Sequence, residues 1–167
     1  KFINAGQTCI APDYILVDEN IKDKLISALK EAITGFFGEK PVSSLHYGRI
    51  VSERAFLRLK NVIEESSPSL IFGGEYDIKS KFISPAIFDN PSIDENIMKY
   101  EIFGPLLPVI SVKSIEEAIS FINSREKPLA LYYFGKERDG YKVLDKTSSG
   151  GACINDTILH VANKHLP

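Results

Sequence analysis

Apolar residues along the chain alternate between two spacings, and the switches between them outline an α/β domain. The run Tyr14-Ile15-Leu16-Val17 is short, apolar and β-prone, which predicts a buried strand. Asp18 or Asn20 is positioned to cap a following helix. Its apolar stripe is Ile21, Leu25, Leu29, Ile33 and Phe36, at helical spacing, and Gly38 is expected to end it. The first eight residues read as the end of a helix. Residues 39–51 read as loop. Ser52 caps a second helix with the face Phe56, Leu59, Val62 and Ile63, stopped at Ser66-Ser67-Pro68. Leu70-Ile71-Phe72 is a strand closed by two glycines, and residues 82–88 form another, with Pro85 marking an edge or a bulge.

Residues 89–105 form a long Pro-bounded connection with an acidic centre, of a length that is often functional. Residues 107–112 predict a strand. Ser114-Ile115-Glu116-Glu117 matches a capping box and opens a helix through Asn123. Residues 129–134 predict a strand, 137–147 a helix and 152–154 a last short strand. Strands that alternate with helices of ten or more residues point to a three-layer αβα domain with a largely parallel sheet. No repeat, low-complexity tract or second domain boundary stands out.

Composition narrows the function classes. The 167 residues suffice for one sizeable core, and a net charge of −2 gives no electrostatic case for nucleic acid or an anionic membrane. Two cysteines are too few for a disulfide framework, so a reducing compartment is expected. No apolar run reaches the roughly 20 residues of a spanning helix. The three histidines, His46, His160 and His165, show no metal-ligand spacing, so no metal site is expected.

Three segments carry candidate chemistry. In Asn4-Ala5-Gly6-Gln7-Thr8-Cys9, the glycine permits a tight turn and the cysteine falls at a junction between elements. Such a thiol is either a nucleophile facing a cleft or a small buried hydrophobe. In Glu101-Ile102-Phe103-Gly104-Pro105, a carboxylate and a ring precede a strand. The carboxylate is suited to a ribose diol, to general-base work, or to plain solvation. In residues 147–157, two glycines lead into a short strand and a polar cluster follows it, where α/β sheets bind ligands. The segment lacks the following helix and the lysine of a phosphate-binding loop.

In this order, the three segments resemble the aldehyde dehydrogenase superfamily. Residues 1–9 resemble its nucleophile motif, residues 101–105 its E-x-F-G-P cofactor motif, and residues 149–156 the strand after the last helix of its catalytic domain. Residues 11–16, 47–50, 121–123 and 125–132 are similar to the class 3 branch, which includes fatty and aromatic aldehyde dehydrogenases. The likeness covers essentially the whole chain.

The resemblance implies oxidation of an aliphatic or aromatic aldehyde to its acid. Cys9 would be the catalytic nucleophile, passing through a thiohemiacetal and a thioester, and NAD or NADP would accept hydride. Glu101 and Phe103 would bind the cofactor, and Asn155, Ile158 and His160 would help wall the substrate pocket. It implies a homodimeric, cytoplasmic parent enzyme. It also implies that a dinucleotide-binding domain, a general-base Glu and an oxyanion Asn lie outside the chain. With no initiator Met and an end at Leu166-Pro167, the sequence reads as part of a longer protein, and alone it is expected to be inactive. The alternatives are a cysteine-dependent esterase, and an inert folded piece that docks with a missing domain through Phe2, Phe103 and Leu166.

Overall fold

A computed structural model of the chain describes residues 1–162 and Lys164. They divide into two compact units, Lys1–Ser111 and Val112–Pro167. The division falls inside a strand, with no linker composition to mark it in the sequence.

The first unit begins with a departure from expectation. Residues 1–8 do not end an α-helix: Asn4, Ala5 and Gly6 all take left-handed backbone, with φ of 51°, 52° and 74°. Strand β1 (Ile15–Asp18) follows, then helix α1 (Lys22–Phe37). Asp18 does not cap α1. Its carboxylate accepts from the Asn20 N–H at 2.9 Å in a local turn, and the capping position falls to Ile21, 54% exposed. The buried stripe of α1 is therefore centred on Ile26 and Ile33, with Leu25, Leu29 and Phe37 packed alongside. Phe36 turns out to solvent because Phe37 takes the inward position one turn after Ile33.

Helix α2 (Glu53–Glu65) starts as its sequence predicts, with the Ser52 hydroxyl accepting from the Ala55 N–H at 3.2 Å. Its face of Phe56, Leu59 and Ile63 is buried. Strand β2 (Leu70–Phe72) comes next. The run 82–88 is not one strand. It splits at Ser84-Pro85 into β4 (Phe82–Ile83), paired antiparallel with β3 (Tyr76–Asp77), and β5 (Ala86–Asp89). Pro85 is fully buried and marks no sheet edge. Lacking an N–H, it ends one pairing just before the chain enters another sheet.

The long connection holds a short helix, α3 (Asn96–Lys99), with Ile97 and Met98 buried, and leads into β6 (Leu106–Val112). The main sheet has the order β1-β6-β5-β2. Its β5–β6 pair is parallel, from Ala86 opposite Leu106 to Asp89 opposite Val109, while β2 joins β5 antiparallel. Val17, Ile87 and Val109 on one face pack against Ile26 and Ile33 of α1.

The second unit follows its pattern closely. Helix α4 (Ile115–Asn123) is capped by Ser114, whose hydroxyl accepts from the Glu117 N–H. The Glu117 carboxylate reaches back to the Lys113 N–H at 2.7 Å, one residue before the cap. Strand β7 (Ala130–Tyr133), helix α5 (Glu137–Lys146) and strand β8 (Gly151–Ile154) complete it, with β7 and β8 parallel. Ile119, Leu131 and Val143 form its core. The architecture is α/β with a mainly parallel sheet, as the sequence predicts. Among the described residues no helix is long and apolar enough to cross a membrane.

Candidate active site

The segment that leads to Cys9 owes its path to three residue types. Asn tolerates left-handed backbone, Ala5 is small enough to be buried there, and Gly6 has no side chain. Consecutive left-handed residues are strained and persist only when neighbours hold them. Gln7 does so. Its amide donates to the carbonyls of Asn4 and Arg49, both at 3.0 Å, and accepts from the Val51 N–H at 2.9 Å. Arg49 holds the other side of that loop, donating to the carbonyls of Val42, Tyr47 and Gly48 and lying 5.0 Å from the Phe82 ring. Beyond Gln7 the chain turns, with the Ala11 N–H bonded to the Thr8 carbonyl at 2.9 Å. Cys9 lies within this turn and is exposed.

The second motif meets the first through their glycines. A methyl group on Gly6 would lie 2.1 Å from the Gly104 carbonyl oxygen, and one on Gly104 would strike the Leu59 side chain at 2.5 Å. Gly6, Gly104 and Leu59 of α2 are thus stacked with no room for a side chain between them. In the connecting loop Ile102 is buried, Glu101 is exposed, and Phe103 is 37% exposed with φ at 45°. Phe103 joins Asn4, Gln7, Arg49 and Val51 in lining a depression of about 290 Å³.

Of the proposed docking residues, Phe2 packs against the α1 core, Phe103 is partly open, and Leu166 lies outside the described residues, as does His165.

Asn155, Ile158 and His160 lie in the second unit. Asn155 (φ 57°) spends its side-chain amide on Gly135, accepting from its N–H at 2.9 Å and donating to its carbonyl at 3.0 Å. Ile158 is half-buried with φ at 65°, which is costly for a β-branched residue. His160 places Nδ1 3.4 Å from the Cys153 sulfur and its ring 5.7 Å from that of Tyr132.

The aldehyde dehydrogenase family model matches residues 1–167. The chain belongs to the aldehyde dehydrogenase family. It is 45% identical over 168 residues to aldehyde dehydrogenase family 3 member A2 of Rattus norvegicus, spanning all of this chain and 34% of that protein. It is equally similar to the dimeric NADP-preferring aldehyde dehydrogenase of the same species, of which it covers 37%. A substrate-bound structure of Staphylococcus aureus AldH superposes with a TM-score of 0.97 at 45% identity, covering all of this chain and 37% of that one. The likeness to class 3 expected from the motifs therefore holds. The chain spans about a third of the length of the curated relatives it matches.

Gln7, Asp13 and Arg49 fall inside the motif segments and Arg58 among the polar positions of α2, with no local signal that assigns them a task. Gln7, Arg58 and Asp13 bond residues 42 to 89 positions away, and Arg49 spends its guanidinium on loop carbonyls, so no periodicity marks them.

Proposed function

We propose that this chain carries the nucleophile and part of the cofactor site of an enzyme that oxidises an aliphatic or aromatic aldehyde to its carboxylic acid. One observation carries the reading. The exposed Cys9 follows a left-handed turn whose glycine abuts the Gly104 carbonyl of the loop bearing Glu101 and Phe103. Nucleophile and cofactor loop are one joint.

Cys9 as thiolate attacks the aldehyde carbon and forms a tetrahedral thiohemiacetal. Its own backbone N–H is available to the developing oxyanion, and a family Asn outside the chain adds a side-chain donor. The exposed Glu101 carboxylate would hold the nicotinamide ribose by accepting its hydroxyl hydrogen bonds, and the partly open Phe103 ring would offer it an apolar face. NAD or NADP, when bound, would supply the hydride acceptor. Water then cleaves the Cys9 thioester and frees the acid. Activation of that water belongs to the general-base Glu outside the chain, with Glu101 as the alternative base. A Glu101→Gln variant separates the two: slowed deacylation alone assigns the base to Glu101, and weakened nucleotide binding assigns it to the ribose.

Asn155, Ile158 and His160 are proposed to wall the aldehyde pocket, Asn155 through its backbone since Gly135 occupies its amide. Turnover is proposed to need the parts of the protein that relatives have and this chain lacks. The parent is proposed to be a cytoplasmic homodimer.

The test is oxidation of straight-chain and aromatic aldehydes by the complete protein with NAD or NADP, beside a Cys9→Ala variant. Reduced nucleotide from the parent and none from the variant is the expected result. A parent that reduces neither nucleotide overturns the reading. The exposure of Cys9 also suits a cofactor-free esterase, recognised by a Cys9-dependent burst of p-nitrophenol.

A further inference from the structure

Glu101 and Phe103 flank a single residue whose backbone is held from both sides by side chains far away in sequence. Asp13 Oδ1 accepts from the Ile102 N–H at 3.2 Å. On α2, Arg58 donates through Nη2 to the Ile102 carbonyl at 2.5 Å and through Nη1 to the Glu101 carbonyl at 3.4 Å. The Ile102 side chain is the loop's anchor, 3% exposed between two outward-facing neighbours. Behind Asp13 stands Lys1, its side chain buried and its Nζ 3.6 Å from Asp13 Oδ1, an ion pair too long for a hydrogen bond. Burial lowers the Lys1 amine to about 8, against the pull of Asp13 and Glu101.

The arrangement has a direction. Asp13 lies four residues after Cys9, just past the Thr8–Ala11 turn, so its carboxylate ties the nucleophile segment to the loop at a second point beyond the Gly6–Gly104 contact. Phe103 keeps φ at 45°, a conformation that a non-glycine residue holds only under outside constraint. Besides the packing of Gly104 against Gly6 and Leu59, the constraints are two carbonyls bonded by one planar guanidinium fork and an N–H bonded by one carboxylate. Bonds of this type to charged groups are the stronger kind.

We propose that Asp13 and Arg58 are positioning residues of the cofactor loop, fixing the Glu101–Ile102 backbone so that the Glu101 carboxylate meets a nicotinamide ribose in one orientation. This rests on the reading of Glu101 as a ribose-binding group. Neither residue touches the reacting atoms. Their effect is to lower the ordering cost of the loop when a nucleotide binds.

The test uses the complete protein with NAD or NADP as ligand, whichever the parent prefers, and reads nucleotide Kd by calorimetry together with the KM for a single aldehyde. Asp13→Ala is expected to weaken nucleotide binding about tenfold and to move the aldehyde KM less than about threefold. Asp13→Asn keeps an acceptor for the Ile102 N–H and is expected to return nucleotide Kd to within about threefold of the parent. Arg58→Lys keeps the charge but not the fork, with an expected loss of about fivefold. It also serves should Asp13→Ala not fold. A nucleotide Kd within twofold of the parent in a folded Asp13→Ala or Arg58→Lys variant overturns the proposal. Equal losses in nucleotide Kd and aldehyde KM, with Asn no better than Ala, also overturn it, since general loosening predicts that result. A parent protein that binds no nicotinamide nucleotide sinks the reading of Glu101 itself. A parent that binds well, with variants unmoved, sinks only the positioning role.

Discussion

Cys9 and Cys153 stand in opposite kinds of place. Cys153 lies on β8, half-buried, with an imidazole nitrogen 3.4 Å from its sulfur. On local contacts alone it is the cysteine that resembles a nucleophile paired with a histidine. Cys9 makes no such contact among the described residues. It has exposure, a turn preceded by three left-handed residues, and a glycine wedged against the loop that bears Glu101 and Phe103. A nucleophile that must receive a carbonyl compound needs room and a fixed backbone more than it needs a permanent partner.

The sharpest way to break this comparison is to remove each thiol in turn. Cys9→Ala in the complete protein is expected to lower aldehyde oxidation at least about a thousandfold, as loss of a covalent nucleophile does. Cys153→Ala is expected to stay within about threefold. Initial rates of nucleotide reduction decide between them, and the reverse ranking would transfer the nucleophile to the His160 pair.

The next test concerns the backbone that presents Cys9. Gly6→Ala places a methyl 2.1 Å from the Gly104 oxygen at φ 74°. The left-handed backbone alone costs about 1–2 kcal/mol for a residue with a Cβ. The collision must also push the two motifs apart, and a shift of about 1 Å at a reacting group can cost about a hundredfold in rate. The expected outcome is a fall in kcat/KM of about that size with a lowered melting temperature. Gly35 is the control. It lies in α1 with open space where a Cβ would point, so Gly35→Ala is expected to raise stability by about 0.5–1 kcal/mol. Equal behaviour of the two variants would mean that the Gly6–Gly104 contact does not shape the site.

The contrast between these glycines parallels what could be read in advance. Elements with local signals came through: Ser52 and Ser114 cap the helices that their positions predict, and β6, β7, α5 and β8 match their apolar runs to within a residue or two. Elements defined by a remote partner did not. The two-residue strands β3 and β4 exist only through each other, α3 is one turn inside a connection, and a left-handed run has no compositional code beyond its Asn and Gly. The site divides in the same way. The motif residues Cys9, Glu101 and Phe103 were legible as strings. Their supports were not, because Gln7 bonds residues 42 and 44 positions away and Asp13 one that is 89 away.

Support without chemistry is where the smallest effect is expected, and Tyr47 isolates it. Its hydroxyl donates to the Ile83 carbonyl at 2.8 Å, and its buried ring stands edge-on to Phe37 and Phe82. The next residue, Gly48, backs directly onto Asn4 of the nucleophile segment. Tyr47→Phe keeps the ring and strands a buried carbonyl, for an expected cost of about 1–2 kcal/mol in urea unfolding at neutral pH. The change in kcat/KM is expected to stay under about threefold, since the backbone near Asn4 is held independently by Gln7. The pH dependence supplies a sign. Burial pushes the Tyr47 phenol well above its ordinary range, with Arg49 pulling weakly the other way. Above about pH 10 the unfolded chain therefore gives up a proton that the folded chain keeps, so unfolding releases protons and stability falls as pH rises. Phe has no proton to lose, so the gap between variant and parent should narrow or reverse on passing from pH 7 to above pH 10. A gap that stays constant over that interval would show the phenol ionising in the folded protein as readily as in the unfolded chain.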